Sequence, residues 1–278
     1  MSILPKLWKL FVPVFDFTLL GQDSGFWLVA VVAVLIMGVS KGGFGSGMNV
    51  ASTPLLALAS NPILAAAIML PLLNIMDLLG IRAFWRQWDI RTARSLLLPM
   101  IADVVSGIIL FTSVNADWLR ILLAVVVYVV LIDRWGLLRR VGLMVQKAKE
   151  TPEPGGPMAW ILGTLLGVTS TIAHAGGPAG SAYLLRFNFD KTTFQATTIL
   201  TFTAVNLIKL PFYLFTGQFP LSTLAMTGVL VPVAVLSMLL GVVLHRIMPQ
   251  RPFFIFMEAA SFVTACKLMW DGVTGLLG

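Results

Sequence analysis

Apolar residues run in long blocks broken by short polar punctuation: Phe26–Val39, Ile63–Leu79, Leu96–Phe111, Trp118–Ile132, Thr192–Phe215, Leu221–Leu244 and Phe253–Leu277. Several approach the ~20 residues a helix needs to cross a hydrocarbon core. The pattern predicts an all-α, polytopic membrane protein with regular spans over 63–80, 95–111, 118–138, 192–215, 222–244 and 253–277. Two other apolar stretches, 25–60 and 158–187, are too long for one helix and are interrupted by GVSKGGFGSG at 38–47 and GVTSTIAHAGGPAG at 167–180. Cut at their glycines, they give pieces of about 12 to 16 residues, shorter than a span. Each reads as a re-entrant hairpin or a broken helix.

The polar punctuation sets a direction. Arg82, Arg86, Arg91 and Arg94 fill one loop, and Arg139, Arg140, Lys147 and Lys149 another. A third carries Arg246 and Arg251, whereas 112–117 holds only Asp117 and 216–222 is uncharged. Basic loops stay in the cytoplasm, so the spans alternate inward and outward from 63 onward. The second glycine-broken segment then begins and ends on the cytoplasmic side, at the basic loop and at Arg186, Asp190 and Lys191. The first begins and ends outside, at the Asn61–Pro62 turn.

The halves also align at an offset of roughly 133 residues, a spacing that signals duplication. Gly42–Gly43 fall on Gly176–Gly177, Asn74-x-x-Asp77 on Asn206-x-x-Lys209, Leu98–Pro99 on Val231–Pro232, and Gly107–Leu110 on Gly241–Leu244. A broken element plus three spans per half makes the second copy enter from the opposite face, an inverted repeat. The expected organisation is an interfacial segment at 1–24, a first repeat at 25–138, a cytoplasmic linker at 139–157 and a second repeat at 158–278.

Composition narrows the function. Of 278 residues, 58% are hydrophobic and 11% charged, against about 25% charged in soluble domains. No loop is long enough to fold as a catalytic domain, so the membrane part carries the function. The net charge of +7 follows from the basic loops and implies no nucleic acid. One cysteine, Cys266, and two histidines, His174 and His245, support neither a disulfide nor a His/Cys metal site, and no cofactor is expected. Lys6 and Lys9 precede a stretch interrupted by Pro13 and Asp16 without an A-x-A-like site. That argues for an interfacial segment rather than a cleaved signal peptide.

Backbone freed by glycines at membrane depth is tolerated beside a cavity. A helix restarting at Gly45–Asn49 or Gly180–Tyr183 would present N–H groups and a positive dipole end to an anion. Ser40, Lys41, Ser46 and Asn49 flank one break, and Thr169, Ser170, Thr171, His174 and Ser181 the other. The competing role for the glycines is close helix packing, since Gly43-x-x-x-Gly47, Gly163-x-x-x-Gly167 and Gly176-x-x-x-Gly180 match small-residue interfaces. For Gly163 and Gly167 packing is the preferred reading. Gly42 and Gly47 have P-loop separation, but Met48 and Asn49 stand where Lys and Ser/Thr are required. Trp85, Trp88, Trp118, Trp135, Trp160 and Trp270 read as interface anchors.

Ionisable residues at membrane depth mark function, which singles out Asp77, Asp103, Lys209, Glu258 and Lys267. Asp77 and Lys209 hold equivalent positions and are expected to approach each other near the symmetry axis, either around the anion or as a structural ion pair. Asp77, Asp103 and Glu258 are candidate proton acceptors; for the last two, reaching interfacial water is the alternative. The candidate anion site is Ser40, Lys41, Gly43, Gly45, Ser46, Gly47, Asn49 and Asn74 from the first half. From the second it takes Thr171, His174, Gly176, Gly177, Ser181, Asn206 and Lys209.

GVSKGGFGSGMNVASTPLLAL at 38–58, then LPLLNIMDLLG, with a second glycine-rich copy at 167–181, resembles the TauE/SafE family of sulfite and organosulfonate exporters over nearly the whole chain. The second copy departs from the first, carrying Thr171-Ile-Ala-His174 before its glycines where the first has a lysine. The resemblance implies a multi-pass carrier of the bacterial inner membrane for small sulfur oxyanions or sulfonates such as sulfite or sulfoacetate. No ATPase machinery is visible in the sequence, so proton coupling or membrane potential is the expected driving force for expelling the anion. A passive anion channel is the alternative. A membrane enzyme or assembly factor is disfavoured, because no catalytic His/Cys/Asp cluster, Ser–His pair or H-E-x-x-H helix occurs. The lipid bilayer is the expected surrounding, and self-association into a homo-oligomer is left open.

Overall fold

The computed structural model describes residues 20–45, 52–110, 116–135, 152–174, 176–215, 217 and 219–277. Every regular element among them is an α-helix. In the first half these are α1 (Ser24–Gly43), α2 (Ser52–Ala59), α3 (Pro62–Ala83), α4 (Ile90–Leu110) and α5 (Ala116–Arg134). In the second they are α6 (Gly156–Ala173), α7 (Gly177–Leu185), α8 (Lys191–Phe215), α9 (Leu221–Ile247) and α10 (Gln250–Leu277). The expected N-terminal interfacial segment, Ser46, Gly47, Asn49 and most of the linker lie outside the described residues, as does the side chain of Asp103 on α4.

Local chemistry fixes the helix starts. Asp23 accepts from Phe26 N at 2.8 Å to cap α1. Asn61 accepts from Leu64 N at 2.9 Å to cap α3, with Pro62 in the first turn, where its missing N–H costs nothing. Asp190 does the same for α8, accepting from Thr192 N and Thr193 N. Lys191 donates to the carbonyls of His245, Arg246 and Met248 and so closes the end of α9, where cations suit the orphan carbonyls.

Among the described residues, five helices, Ser24–Gly43, Ile63–Ala83, Lys191–Phe215, Leu221–Ile247 and Gln250–Leu277, are long and apolar enough to cross a bilayer. Their polarity is inside out relative to a soluble protein. Along α9, Leu236, Leu239, Leu240 and Val243 are exposed while Ser237, Gly241 and His245 are buried. An apolar exterior around a polar seam is stable only where lipid replaces water. Trp85, Trp118, Trp135, Trp160 and Trp270 are also exposed.

Both halves run long helix, short helix, then three long helices. Most contacts between halves come in exchanged pairs: α1 packs on α9 and α6 on α4, α3 crosses α9 and α8 crosses α4, while α3 meets α8 and α5 meets α10; α5 also touches α7.

The broken segments differ from the expectation in one respect. Instead of two pieces of similar length, α1 has 20 residues and is followed by an α2 of 8, and α6 has 18 followed by an α7 of 9. The helix continues through Gly38 and Gly42 because these glycines form a contact surface. A Cβ at Gly38 would overlap Ser237 Oγ, one at Gly42 the Met238 carbonyl, and one at Gly43 would lie 2.8 Å from Gly241 O. Rising numbers along α1 meet rising numbers along α9, so the two helices run parallel. Gly163 serves the other crossing, where an added Cβ would lie 2.7 Å from Pro99 Cβ. The second short helix begins at Gly177 rather than Gly180, because Pro178 favours the first helical turn.

Candidate functional site

The chain leaves α1 at Phe44–Gly45, where Gly45 has φ +60°, a left-handed conformation that favours glycine. The end of α1 is held from α8 and α9. Gln195 Nε2 donates to Lys41 O at 2.6 Å, and Gln195 Oε1 accepts from Gly45 N, so one amide bridges the break. His245 Nδ1 lies 3.1 Å from Gly43 O; a carbonyl only accepts, so this nitrogen carries the proton. Ser40 Oγ donates to Gly45 O at 3.2 Å. Ser40, Gly43 and Gly45 therefore build the break through their own backbone contacts.

Lys41 projects from this end onto α3. Its Nζ lies 2.8 Å from Asp77 Oδ1 and donates to Leu73 O at 3.2 Å. Asp77 Oδ2 accepts from Asn206 Nδ2 at 2.7 Å, which joins α3 to α8. Asp77 thus forms its ion pair with Lys41, whereas the repeat alignment paired it with Lys209. Equal positions in two inverted copies would lie equally far from the midplane, while the partner is chosen by which helix face the side chain occupies. Asn74, one turn earlier on α3, donates back to Leu70 O at 2.9 Å.

Lys209 follows Asn206 by three residues on the same face of α8 and turns to the second break. Its Nζ lies 3.0 Å from both Ser170 O and Ser170 Oγ and 2.9 Å from His174 Nδ1. His174 ends α6 in a left-handed conformation, φ 51°. Its Nε2 lies 3.1 Å from Ala66 O, and its ring stacks on Tyr213 at 6.2 Å.

The result is one polar thread from break to break: Lys41, Asp77, Asn206, Lys209, His174. Relative exposures of 2%, 1%, 2%, 0% and 3% mean that water reaches none of its members in this conformation. The two breaks sit at different levels of the bundle. Gln195, which contacts the first, and Lys209, which contacts the second, are about 21 Å apart along the α8 axis at 1.5 Å per residue. The lysine side chains carry charge from both ends toward the middle.

Other sequence candidates are placed elsewhere. Thr171 Oγ1 donates to Gly167 O at 2.9 Å within its own helix. Gly176 packs against α6, where a Cβ would lie 2.8 Å from Leu166 O, and Gly177 opens α7. Glu258 accepts from Trp135 Nε1 at 2.8 Å, outside the thread, and Lys267 pairs with Asp271 on an exposed face of α10. Among the described residues, Ser181 Oγ is buried without a hydrogen-bond partner, as are Ser52 Oγ and Thr53 Oγ1 at the start of α2. Gln195 and His245 are the residues that sequence reasoning missed as contributors to the site. A glutamine in the second turn of an apolar helix carries no local signal, and His245 falls in a basic loop pattern that already explains it.

Beside the first break, an open groove of about 540 Å³ is lined by Arg86, Gln87, Trp88, Asp89, Asp190, Thr192 and Thr193. Thr192 Oγ1, on the groove wall, lies 3.5 Å from His245 Nε2, and the same histidine contacts Gly43 O at the end of α1.

The family model described as sulfite exporter TauE/SafE matches residues 30–268, a stretch that includes both breaks and every member of the thread. No curated protein and no solved structure gives a match.

Proposed function

The chain belongs to the sulfite exporter TauE/SafE family, and from that premise we propose that it is a secondary carrier moving small sulfur-containing anions across a bacterial inner membrane, by alternating access around the Lys41–His174 thread. TauE/SafE proteins are transporters, and this one is a multi-pass membrane protein. The observation that carries the anion reading is charge. Two lysines and one carboxylate are buried in one thread, so full ionisation leaves one positive charge in excess. A buried charge is costly unless matched, and a sulfite or sulfonate oxyanion supplies the match. The partnerless hydroxyls of Ser52, Thr53 and Ser181 on the two short helices add donors of the kind that oxyanions accept from.

Burial of the thread suits the occluded intermediate of a carrier, and the exchanged helix pairs with breaks at opposite levels support an inverted repeat. Rocking one half against the other would open the site first beside the groove at Arg86 and Thr192 and then near Tyr213. Membrane potential or a proton supplies the driving force. Lys209 is the lysine to test, because its removal strands no carboxylate. In proteoliposomes loaded with sulfite, Lys209→Gln is expected to reduce efflux to the rate of protein-free vesicles while the protein remains monodisperse. Efflux near the unmodified rate would remove Lys209 from the site and the charge argument with it.

A further inference from the structure

The contacts of Lys209 and His174 assign their protons. Ala66 O can only accept, so His174 Nε2, 3.1 Å away, carries a hydrogen. In the neutral ring Nδ1 is then an acceptor, and Lys209 Nζ at 2.9 Å is its donor. With Ser170 O and Ser170 Oγ each at 3.0 Å, all three ammonium hydrogens have acceptors. If the proton shifts along this bond, the imidazole holds both of its hydrogens and the amine keeps two, donated to Ser170; no contact is lost. A second proton would place two N–H groups head to head, and the bond would break. The pair therefore accommodates one excess proton.

The charged groups acting on the pair are Lys41 from α1 and Asp77 from α3, and these two neutralise each other at 2.8 Å. Tyr213 of α8 stacks on His174. The shared proton is thus the excess charge of the thread, and it is the charge an anion would meet.

We propose that Lys209 and His174 together form the proton-binding site of the carrier, holding one proton in the Nζ–Nδ1 bond and binding it together with the anion. This rests on the carrier reading above and assigns the coupling proton to this pair, away from Asp103 and Glu258 and from Asp77, whose carboxylate is paired with Lys41. Anion and proton each raise the affinity for the other by the same factor, as linkage requires. Without the proton the site is an uncharged pocket beside a neutral ion pair, and the anion is released.

The test uses the full-length protein in detergent with a pH-indicator dye and minimal buffer. Methanesulfonate is the probe because it does not titrate, and sulfite is tested beside it by thermal shift, since a bound ligand stabilises the folded state. Adding methanesulfonate is expected to take up a proton, at most one per protein, within a window between about pH 6 and pH 10, the range spanned by free imidazole and ammonium. Lys209→Met is expected to abolish the uptake. His174→Gln preserves an acceptor for Lys209 but cannot share its proton, and is expected to displace the window; a purely structural histidine would leave the window in place. Stabilisation by methanesulfonate with no uptake across that range, or unchanged uptake in Lys209→Met, overturns the proton assignment and leaves the carrier standing. Absence of stabilisation by both probes overturns the carrier reading and this assignment together.

Discussion

Lys41 and Asp77 face each other at 2.8 Å with side-chain exposures of 2% and 1%. Each is tolerable at that depth only because of the other. Removing one partner of such a pair strands a buried charge, at a cost of ~3–5 kcal/mol, whereas replacing both by uncharged side chains of similar size is near neutral. Asp77→Asn is therefore expected to lower the thermal unfolding temperature in detergent sharply, and Lys41→Met added to it to recover most of the loss. A single Asp77→Asn variant as stable as the unmodified protein would show that water or another anion reaches Lys41. At this scale sequence was informative about which residues matter and silent about how they pair. Lys41, Asp77, His174, Asn206 and Lys209 stand out because polar side chains inside apolar runs are rare and costly. The Lys41–Asp77 bond depends on the rotation of α1 against α3, which no spacing within one helix encodes.

Between helices, the tightest crossing is that of α1 and α9, where backbones rather than side chains meet. A Cβ on Gly241 would sit 2.6 Å from Val39 O, 2.8 Å from Gly43 N and 2.9 Å from Gly42 Cα. None of these atoms can yield without moving a helix. Gly241→Ala is expected to cost about 1–3 kcal/mol, the usual range for overpacking, and to reduce sulfite transport by displacing the end of α1 from Gln195 and His245. Gly228, which has nothing within 4 Å of an added Cβ on the same helix, is the control, and its alanine variant should match the unmodified protein in both measurements. Equal behaviour of the two variants would mean that the crossing can separate freely. The glycines of α1 also explain why its length was misjudged. Read along the chain they resemble helix breakers, yet Gly38, Gly42 and Gly43 are spaced to face one neighbour, and that neighbour lies some 200 residues away in sequence. The later spans were legible because an unbroken apolar run has a single reading in a bilayer, helix. The second break was legible because His174, just ahead of the glycines, itself leaves the right-handed helical conformation, with φ 51°.

At the scale of the whole molecule, the exchange of helix partners between halves and the placement of the breaks at opposite levels are what a duplicated unit inserted twice with opposite orientation would produce. Weak sequence matches such as Asn74-x-x-Asp77 with Asn206-x-x-Lys209 suggested the duplication, and loop charge suggested the inversion. The two arguments are independent, and one measurement tests their union. The starts of α3 and α8 are equivalent in the repeat, so inversion puts them on opposite faces of the membrane, while a parallel repeat puts them on the same face. Ile63 in α3 and Asn188 just before α8 are both exposed. With Cys266, which is exposed, replaced by serine, Ile63→Cys should react with a membrane-impermeant maleimide in intact cells. Asn188→Cys should react only after the membrane is permeabilised, because it adjoins the loop bearing Arg186, Asp190 and Lys191 on the positive side. Labelling of both positions from one face would rule out the inversion, and the breaks would then open toward the same compartment. A carrier built that way could not present Lys41 and His174 to opposite sides in turn, and alternating access around their common thread would have no structural basis.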